Sequence, residues 1–386
     1  MKLNYIITGA LAIAMAIPSV AAPKKKQQEP EKVNPYQFTE VVRIPVTPVK
    51  DQNATGTCWC FASTSFLEAE LLRMGKGEYD LSELFTVRHN YYERMNDNYL
   101  RRGKGNISEG SIAHMTLNII DKYGIVPQSA YSGINYDSPL PNHRELGTYL
   151  RAIADASVKL KARSPEYWEL QDALFDIYMG KLPETFEYNG KEYTPLTFRD
   201  MLGINTDDYI EITSFSHHPF YQEVPLEIPD NWDHALLYNL PIDEMMAVVD
   251  NALNNGYTVC WDGDVSEKGY VYSPLGIAII PADGSLERQA IAATDTLIAE
   301  VEYVDQALRQ AGFESFTTTD DHLEHLTGIA TDPAGTKYYI TKNSWGAEGP
   351  YEGYHYMSEK FVRAKTVSIL VHKDAIPADI KAKMGL

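Results

Sequence analysis

Cysteine is scarce. Only Cys58, Cys60 and Cys260 occur in 386 residues, too few for the disulfide framework that exported domains often carry. If one thiol is kept for chemistry, a single pair at most remains. The expectation is therefore no structural disulfide and a core that holds the fold unaided. Positive charge is short too. The chain has 34 Lys and Arg against 53 Asp and Glu, a net charge of −19. That balance argues against nucleic acid as a partner and says little about fold. There is no Gly-rich phosphate loop. The apolar run Ile6 to Ile17 is too short to span a bilayer comfortably, so no stable membrane anchor is expected. His217-His218 has no Cys or carboxylate cluster at ligand spacing and reads as a solvated loop. Asp262-Gly263-Asp264 reads as a turn, since no third oxygen is spaced for calcium. Neither a metal nor a cofactor is implied.

What is present suits a globular protein of one large domain or two to three small ones, with 44% hydrophobic residues to fill a core. Residues 1–21 read as a secretory signal: Lys2, the apolar run, then Ser19-Val20-Ala21 as a small-x-small cleavage site. Export follows as the expected localisation, periplasmic or secreted. Residues 22–40 read as a linker, polar at first and carrying Lys24-Lys25-Lys26. The stretch up to Asp51 is too short to fold as an inhibitory prodomain.

One stretch organises the rest. In Gln52-Asn-Ala-Thr-Gly-Thr-Cys58-Trp59, a Gly-Thr turn delivers Cys58 to the start of a helical run. A helix N-terminus has unsatisfied N–H groups and a partial positive charge. Both favour the thiolate, which is the nucleophile. Gln52 carries an amide able to donate to an oxyanion. A cysteine nucleophile needs a base and a group that orients the base. His322 and Asn343-Ser344-Trp345-Gly346 stand far along the chain as those parts.

In that order, Gln52, Cys58-Trp59, His322 and Asn343-Ser344-Trp345-Gly346 resemble the papain-like cysteine peptidases, and more narrowly their bleomycin hydrolase and aminopeptidase C branch. Leu81-Ser82-Glu83-Leu84, Lys122-Tyr123-Gly124-Ile125-Val126-Pro127, Pro195-Leu196-Thr197-Phe198 and Gly263-Asp264-Val265 add to the likeness. The resemblance implies an α+β fold over residues 41–386, with a helical left domain and an antiparallel β right domain. It also implies a helical insertion at about 139–200, which accounts for the long gap between Cys58 and His322.

The expected catalytic set is Cys58, His322, Asn343 and Gln52. His325 competes with His322, but three positions along a strand it faces the other way. Leu323 departs from the small residue usual after the histidine. Cys60, about 200° around the helix from Cys58, and Cys260 are expected in the core. Gly110, in Asn106-Ile-Ser-Glu-Gly110, falls where the family pairs with substrate backbone, although Glu109 replaces the usual second glycine. Leu386 falls where the branch places its terminal carboxylate, in the cleft against the substrate's ammonium group. The expected activity is peptide hydrolysis by an exported enzyme that removes N-terminal residues. A papain-type endopeptidase and a catalytically silent peptide binder are the alternatives. Oligomeric state stays open, a homo-oligomer included.

Overall fold

A computed structural model describes residues 34–386; the expected signal segment and most of the expected linker lie outside the described residues. A strand β1 (Thr39–Arg43) leads into the loop before α1 (Cys58–Arg73). Fourteen of the sixteen residues of α1 are buried, which makes it the central helix rather than an amphipathic surface one. Around it stand α2 (Glu83–Leu100), α3 (His114–Tyr123), α4 (Arg144–Leu160) and α5 (Pro165–Met179). The hairpin β2 (Phe186–Tyr188) and β3 (Lys191–Tyr193) and the helix α6 (Pro195–Leu202) complete this half.

Local signals explain several boundaries. Ser82 caps α2 by accepting from the Phe85 N–H at 3.2 Å. Thr194 and Thr197 form a reciprocal capping box on α6. Gly124 stops α3 at φ +79°, where any Cβ would also overlap the Pro195 backbone.

The second half holds β4 (Tyr209–Thr213), β5 (Gln222–Pro225), β6 (Leu236–Asn239), α7 (Ile242–Asn254), β7 (Val259–Gly263), β8 (Tyr270–Val271) and β9 (Ile277–Ala278). It continues through α8 (Arg288–Ala292), α9 (Gln306–Glu314), β10 (His322–Thr331), β11 (Lys337–Lys342) and β12 (Tyr354–Ser358). Then come α10 (Glu359–Lys365), β13 (Thr366–His372) and α11 (Ala378–Met384). The strands join in the order β5-β6-β4-β13-β7-β10-β11-β12-β9-β8, with β1 added on β10. The sheet is mixed, not purely antiparallel as expected: β4 with β6 and β9 with β12 run parallel. Parallel neighbours need long crossovers. The crossover from β4 to β6 carries β5 and residues 226–233, which reach across to the helical half.

The sheet separates two cores. Alternate residues of a strand face opposite sides. Cys260 and Leu370 join the core around α1, whereas Val259, Trp261, Ile369 and Val371 join the core under α7. Asp262-Gly263 is therefore the end of a strand, not a turn, and Asp262 shares the face of Cys260 toward α1.

Candidate active site

Cys58 is the first residue of α1. Thr57 caps the helix without a side-chain hydrogen bond and no acidic residue occupies the first turn, so the helix N-terminus has no competing anion of its own. Across the sulfur lies β10, whose Leu323 N–H is within hydrogen-bonding reach of it. Leu323 is buried in the same core as Cys58 and fills the wall where a small side chain was expected.

His322 and Asn343 meet at the ends of β10 and β11. His322 Nε2 lies 2.9 Å from Asn343 Oδ1. The amide is oriented by its neighbours: Oδ1 also accepts from the Ser344 N–H at 2.7 Å, and Nδ2 donates to Tyr270 Oη at 3.1 Å. An acceptor at Oδ1 requires the hydrogen on Nε2, which leaves the Nδ1 lone pair as the basic site. Trp345 covers the pair, its ring centroid 4.7 Å from that of His322. His325 points the other way, with Nδ1 2.9 Å from Ser65 Oγ on α1. His322 and His325 thus face opposite sides of β10.

Gln52 is buried beside this pair. Its N–H donates to the Ser344 carbonyl at 2.8 Å, and its Oε1 accepts from Ser344 Oγ at 2.6 Å. Nε2 gives one hydrogen to the Thr55 carbonyl at 2.8 Å, which leaves one for a ligand. Gln52→Ala should lower kcat by roughly 10²–10³-fold, the usual loss of one oxyanion donor, with little change in KM. A pure KM effect in steady-state kinetics would assign Gln52 to ground-state binding instead.

Two supporting groups, Tyr270 and Glu324, do not figure in the sequence reading, and Ser344 takes a role of its own within its motif. Ser344 holds the Gln52 amide. Tyr270 Oη donates to Glu324 Oε1 at 2.9 Å, and Glu324 Oε1 lies 3.8 Å from His322 Nε2. Glu324 is fully enclosed, and burial raises its carboxyl well above the usual range. The alternation of His322 and Glu324 along β10 was the one available signal for it. Burial also opposes charge at the centre. It pushes the Cys58 thiol up to about 12 and the His322 imidazole down to about 4. Burial thus works against a charged thiolate and a charged imidazolium alike.

The remaining expectations divide. All three cysteines are free. Cys60 turns into the helical core, its Sγ 3.2 Å from the Glu83 carbonyl, and Cys260 is buried in the same core. Gly110 is not an open edge. Arg94 donates to its carbonyl, and a Cβ there would overlap the Asp230 carboxylate. The cause is a contact 120 residues away in sequence. Leu386 is not in the cleft. Its N–H donates to the Lys381 carbonyl, and Ile380 and Met384 of α11 are buried in the core under α7, on the sheet face opposite Cys58. Lys383 pairs with Glu244 of α7 at 2.6 Å. His217 and His218 are not without a carboxylate: Glu227 lies 3.1 and 2.9 Å from their Nε2 atoms. Gln310 Nε2 donates to His217 Nδ1 at 3.0 Å, so the trio is satisfied by hydrogen bonds.

Comparison with known proteins shows the family and the fold. The Peptidase C1-like family matches residues 104–385, and the Papain family cysteine protease model matches residues 32–161. Aminopeptidase C of Lactobacillus helveticus is 24% identical, over 86% of this chain and 80% of its own. Cysteine proteinase 1, mitochondrial, of Saccharomyces cerevisiae (strain JAY291) is 23% identical, over 90% of this chain and 79% of its own. The crystal structure of pepw from lactobacillus rhamnosis hn001 superposes with a TM-score of 0.68 at 21% identity, covering 90% of this chain and 84% of that one, and so shares the fold. The chain belongs to the Peptidase C1-like family and is a cysteine-type peptidase of papain-like fold, in the branch of aminopeptidase C and bleomycin hydrolase.

Proposed function

We propose that the chain is an exported aminopeptidase that removes N-terminal residues from peptides. The single observation that carries the mechanism is the 2.9 Å bond from His322 Nε2 to Asn343 Oδ1 beneath Trp345. It fixes the tautomer whose Nδ1 takes the Cys58 proton as sulfur attacks the scissile carbonyl. His322 then returns that proton to the leaving amine. Gln52 Nε2 and the Cys58 N–H receive the oxyanion. Burial disfavours charge on both thiol and imidazole, which favours proton transfer in concert with attack.

Two observations support exopeptidase action. Relatives at 22–24% identity are named aminopeptidase C. Residues 226–233 also lie along 106–111, the edge on which an extended chain would pair. Asn106 Nδ2 donates to the Pro229 carbonyl at 2.7 Å, and Trp232 Nε1 donates to Ser111 Oγ at 3.2 Å. One observation favours the endopeptidase reading: α11 keeps the C-terminal end away from Cys58. Sequencing the products of one peptide, with its amino end free or acetylated, separates the readings. The free peptide should lose residues one at a time and the acetylated peptide should stay intact. Internal cleavage of the acetylated peptide establishes an endopeptidase.

Export rests on Lys2, the run Ile6 to Ile17 and Ser19-Val20-Ala21. The mature protein should begin at Ala22, which amino-terminal sequencing of the expressed protein checks. A product that keeps Met1 would refute processing.

A further inference from the structure

Three carboxylates from three separate elements converge beside Cys58. Asp262 is the penultimate residue of β7, Asp320 stands two residues before His322, and Asp230 comes from the crossover that covers Gly110. The register places Asp262 directly across from Leu323, the residue whose N–H faces the Cys58 sulfur. Asp262 lies on the face of β7 toward α1 and is 1% exposed. Its Oδ1 has no hydrogen-bond partner, and neither has Asp320 Oδ2. Asp262 Oδ2 has only a long contact from Ser368 Oγ, at 3.4 Å.

The surroundings lack a compensating cation for this pair. The nearby Glu211 and Asp233 are both bonded to His114, at 2.8 and 3.0 Å. Burial opposes charge on that imidazole, but the bonds to Asp233 and Glu211 outweigh it and raise its pKa to about 10. The single charge of His114 is thus already shared between its own two partners. Arg94 serves the loop at 106–110: it donates to the Asn106 carbonyl at 2.9 Å, to Ser108 Oγ at 2.8 Å and to the Gly110 carbonyl. No Lys or Arg is bonded to Asp262 or Asp320 among the described residues. Burial raises both carboxyls, with Asp320 reaching about 8, and each lies within hydrogen-bonding reach of the other. Two carboxyls this close are held back from both carrying full charge unless a cationic donor joins them. A buried acid pair with two orphaned oxygens is costly unless a ligand completes it.

We propose that Asp262 and Asp320 seat the α-ammonium group of the substrate, with Asp230 closing the far side of the seat. The proposal rests on the aminopeptidase reading and supplies the charge that Leu386, on the other side of the sheet, does not provide. Distance favours an α-ammonium over a side-chain cation. The α-nitrogen is only two bonds, roughly 2.5 Å, from the carbonyl carbon under attack. Its seat must adjoin the nucleophile, as this pair does through Leu323. A primary ammonium offers three donors, enough for both orphaned oxygens with one left for Asp230. Next to Asp320 opens a cavity of about 740 Å³, walled by Ile228, Pro229, Phe313 and Phe316.

The test uses the full-length enzyme and the variants Asp262→Asn and Asp320→Asn, which keep side-chain size. Three substrates are compared: an aminoacyl arylamide with a free amine, its N-acetyl counterpart, and an acetylated arylamide with lysine one residue before the cleaved one. Each variant should lose roughly 10–100-fold in kcat/KM on the free-amine substrate, mainly through KM, the scale of one charged hydrogen bond. On the N-acetyl substrate, which the wild type should cleave slowly if at all, neither variant should lose further rate. Equal losses on both substrates would make the pair structural and overturn the proposal. If the wild type releases N-terminal residues and neither variant changes KM, the seat is refuted while the aminopeptidase reading stands. If the wild type cleaves only blocked substrates, that reading fails. A variant loss confined to the lysine substrate then reassigns the pair to a side chain, against the proposal. Asp320→Asn, at the rim of the cavity, decides the matter if Asp262→Asn does not fold.

Discussion

Cys58→Ala should abolish peptide hydrolysis, with a fall in kcat of about 10⁴-fold or more, while Cys60→Ala keeps most of it. The size follows from loss of the only atom placed to form the acyl bond; what survives is the contribution of binding and oxyanion donors. The contrast follows from the helix. Cys58 opens α1 facing β10, whereas the Cys60 sulfur points at the Glu83 carbonyl on the opposite side. Cys60→Ala should therefore cost stability, by loss of buried volume, and leave the rate intact. Kinetics with a free-amine arylamide, paired with thermal melting, check both halves. Equal loss of kcat in two folded variants would remove the helix-face argument. The raised thiol adds a pH dependence. A group with its pKa near 12 has little thiolate at pH 7 and gains it as pH rises. Iodoacetamide labelling of Cys58 in the empty enzyme should accelerate steadily above pH 7. A flat, fast plateau from pH 4 to 7 would instead reveal a resting ion pair.

The second large effect belongs to His322. His322→Ala should lower kcat by roughly 10²–10⁴-fold, the range of general acid–base catalysis. His325→Ala, three residues on, should damage folding more than chemistry. His325 is fully buried against Ser65 and Phe66 of α1, and burial with the nearby Lys342 holds its pKa well below the usual range. It is held at Ser65, seven residues and roughly 10 Å further along α1 than Cys58. The deciding measurement is kcat per folded molecule, with the folded fraction taken from circular dichroism. A larger kcat loss for folded His325→Ala than for His322→Ala would reverse the assignment.

Local pattern made part of this legible. The turn before Cys58, the cap at Ser82 and the stop at Gly124 are set by near neighbours, and each sits where the residues themselves put it. The opposite directions of His322 and His325 follow from strand alternation alone. Trp345 over His322 follows from two segments whose order in the chain was informative. The failures share one cause, partners supplied from far along the chain. Gly110 had the right residue type for an open backbone edge, but Asp230 covers it. His217-His218 are the exception: Glu227 is only nine residues beyond His218, and the chain doubles back to bring it to them. Asp262 was part of a polar tripeptide that looked like a turn, and only the β7–β10 register turns it toward the cleft. The tail was misplaced because its apolar residues, Ile380 and Met384, find their partners on α7. A seven-residue helix gives too little periodicity to announce such a partner.

The position of α11 also governs how the molecule can be handled. The nucleophile opens on one side of the sheet and the last residues lie on the other, with Leu386 half exposed. A bead, a fluorophore or a fused domain attached there would leave the cleft facing solution. In an enzyme of this branch gated by its own tail, the same attachment would jam the gate. Here the chain's end is an anchoring point, and the working surface is free to turn over substrate while the molecule is held from behind.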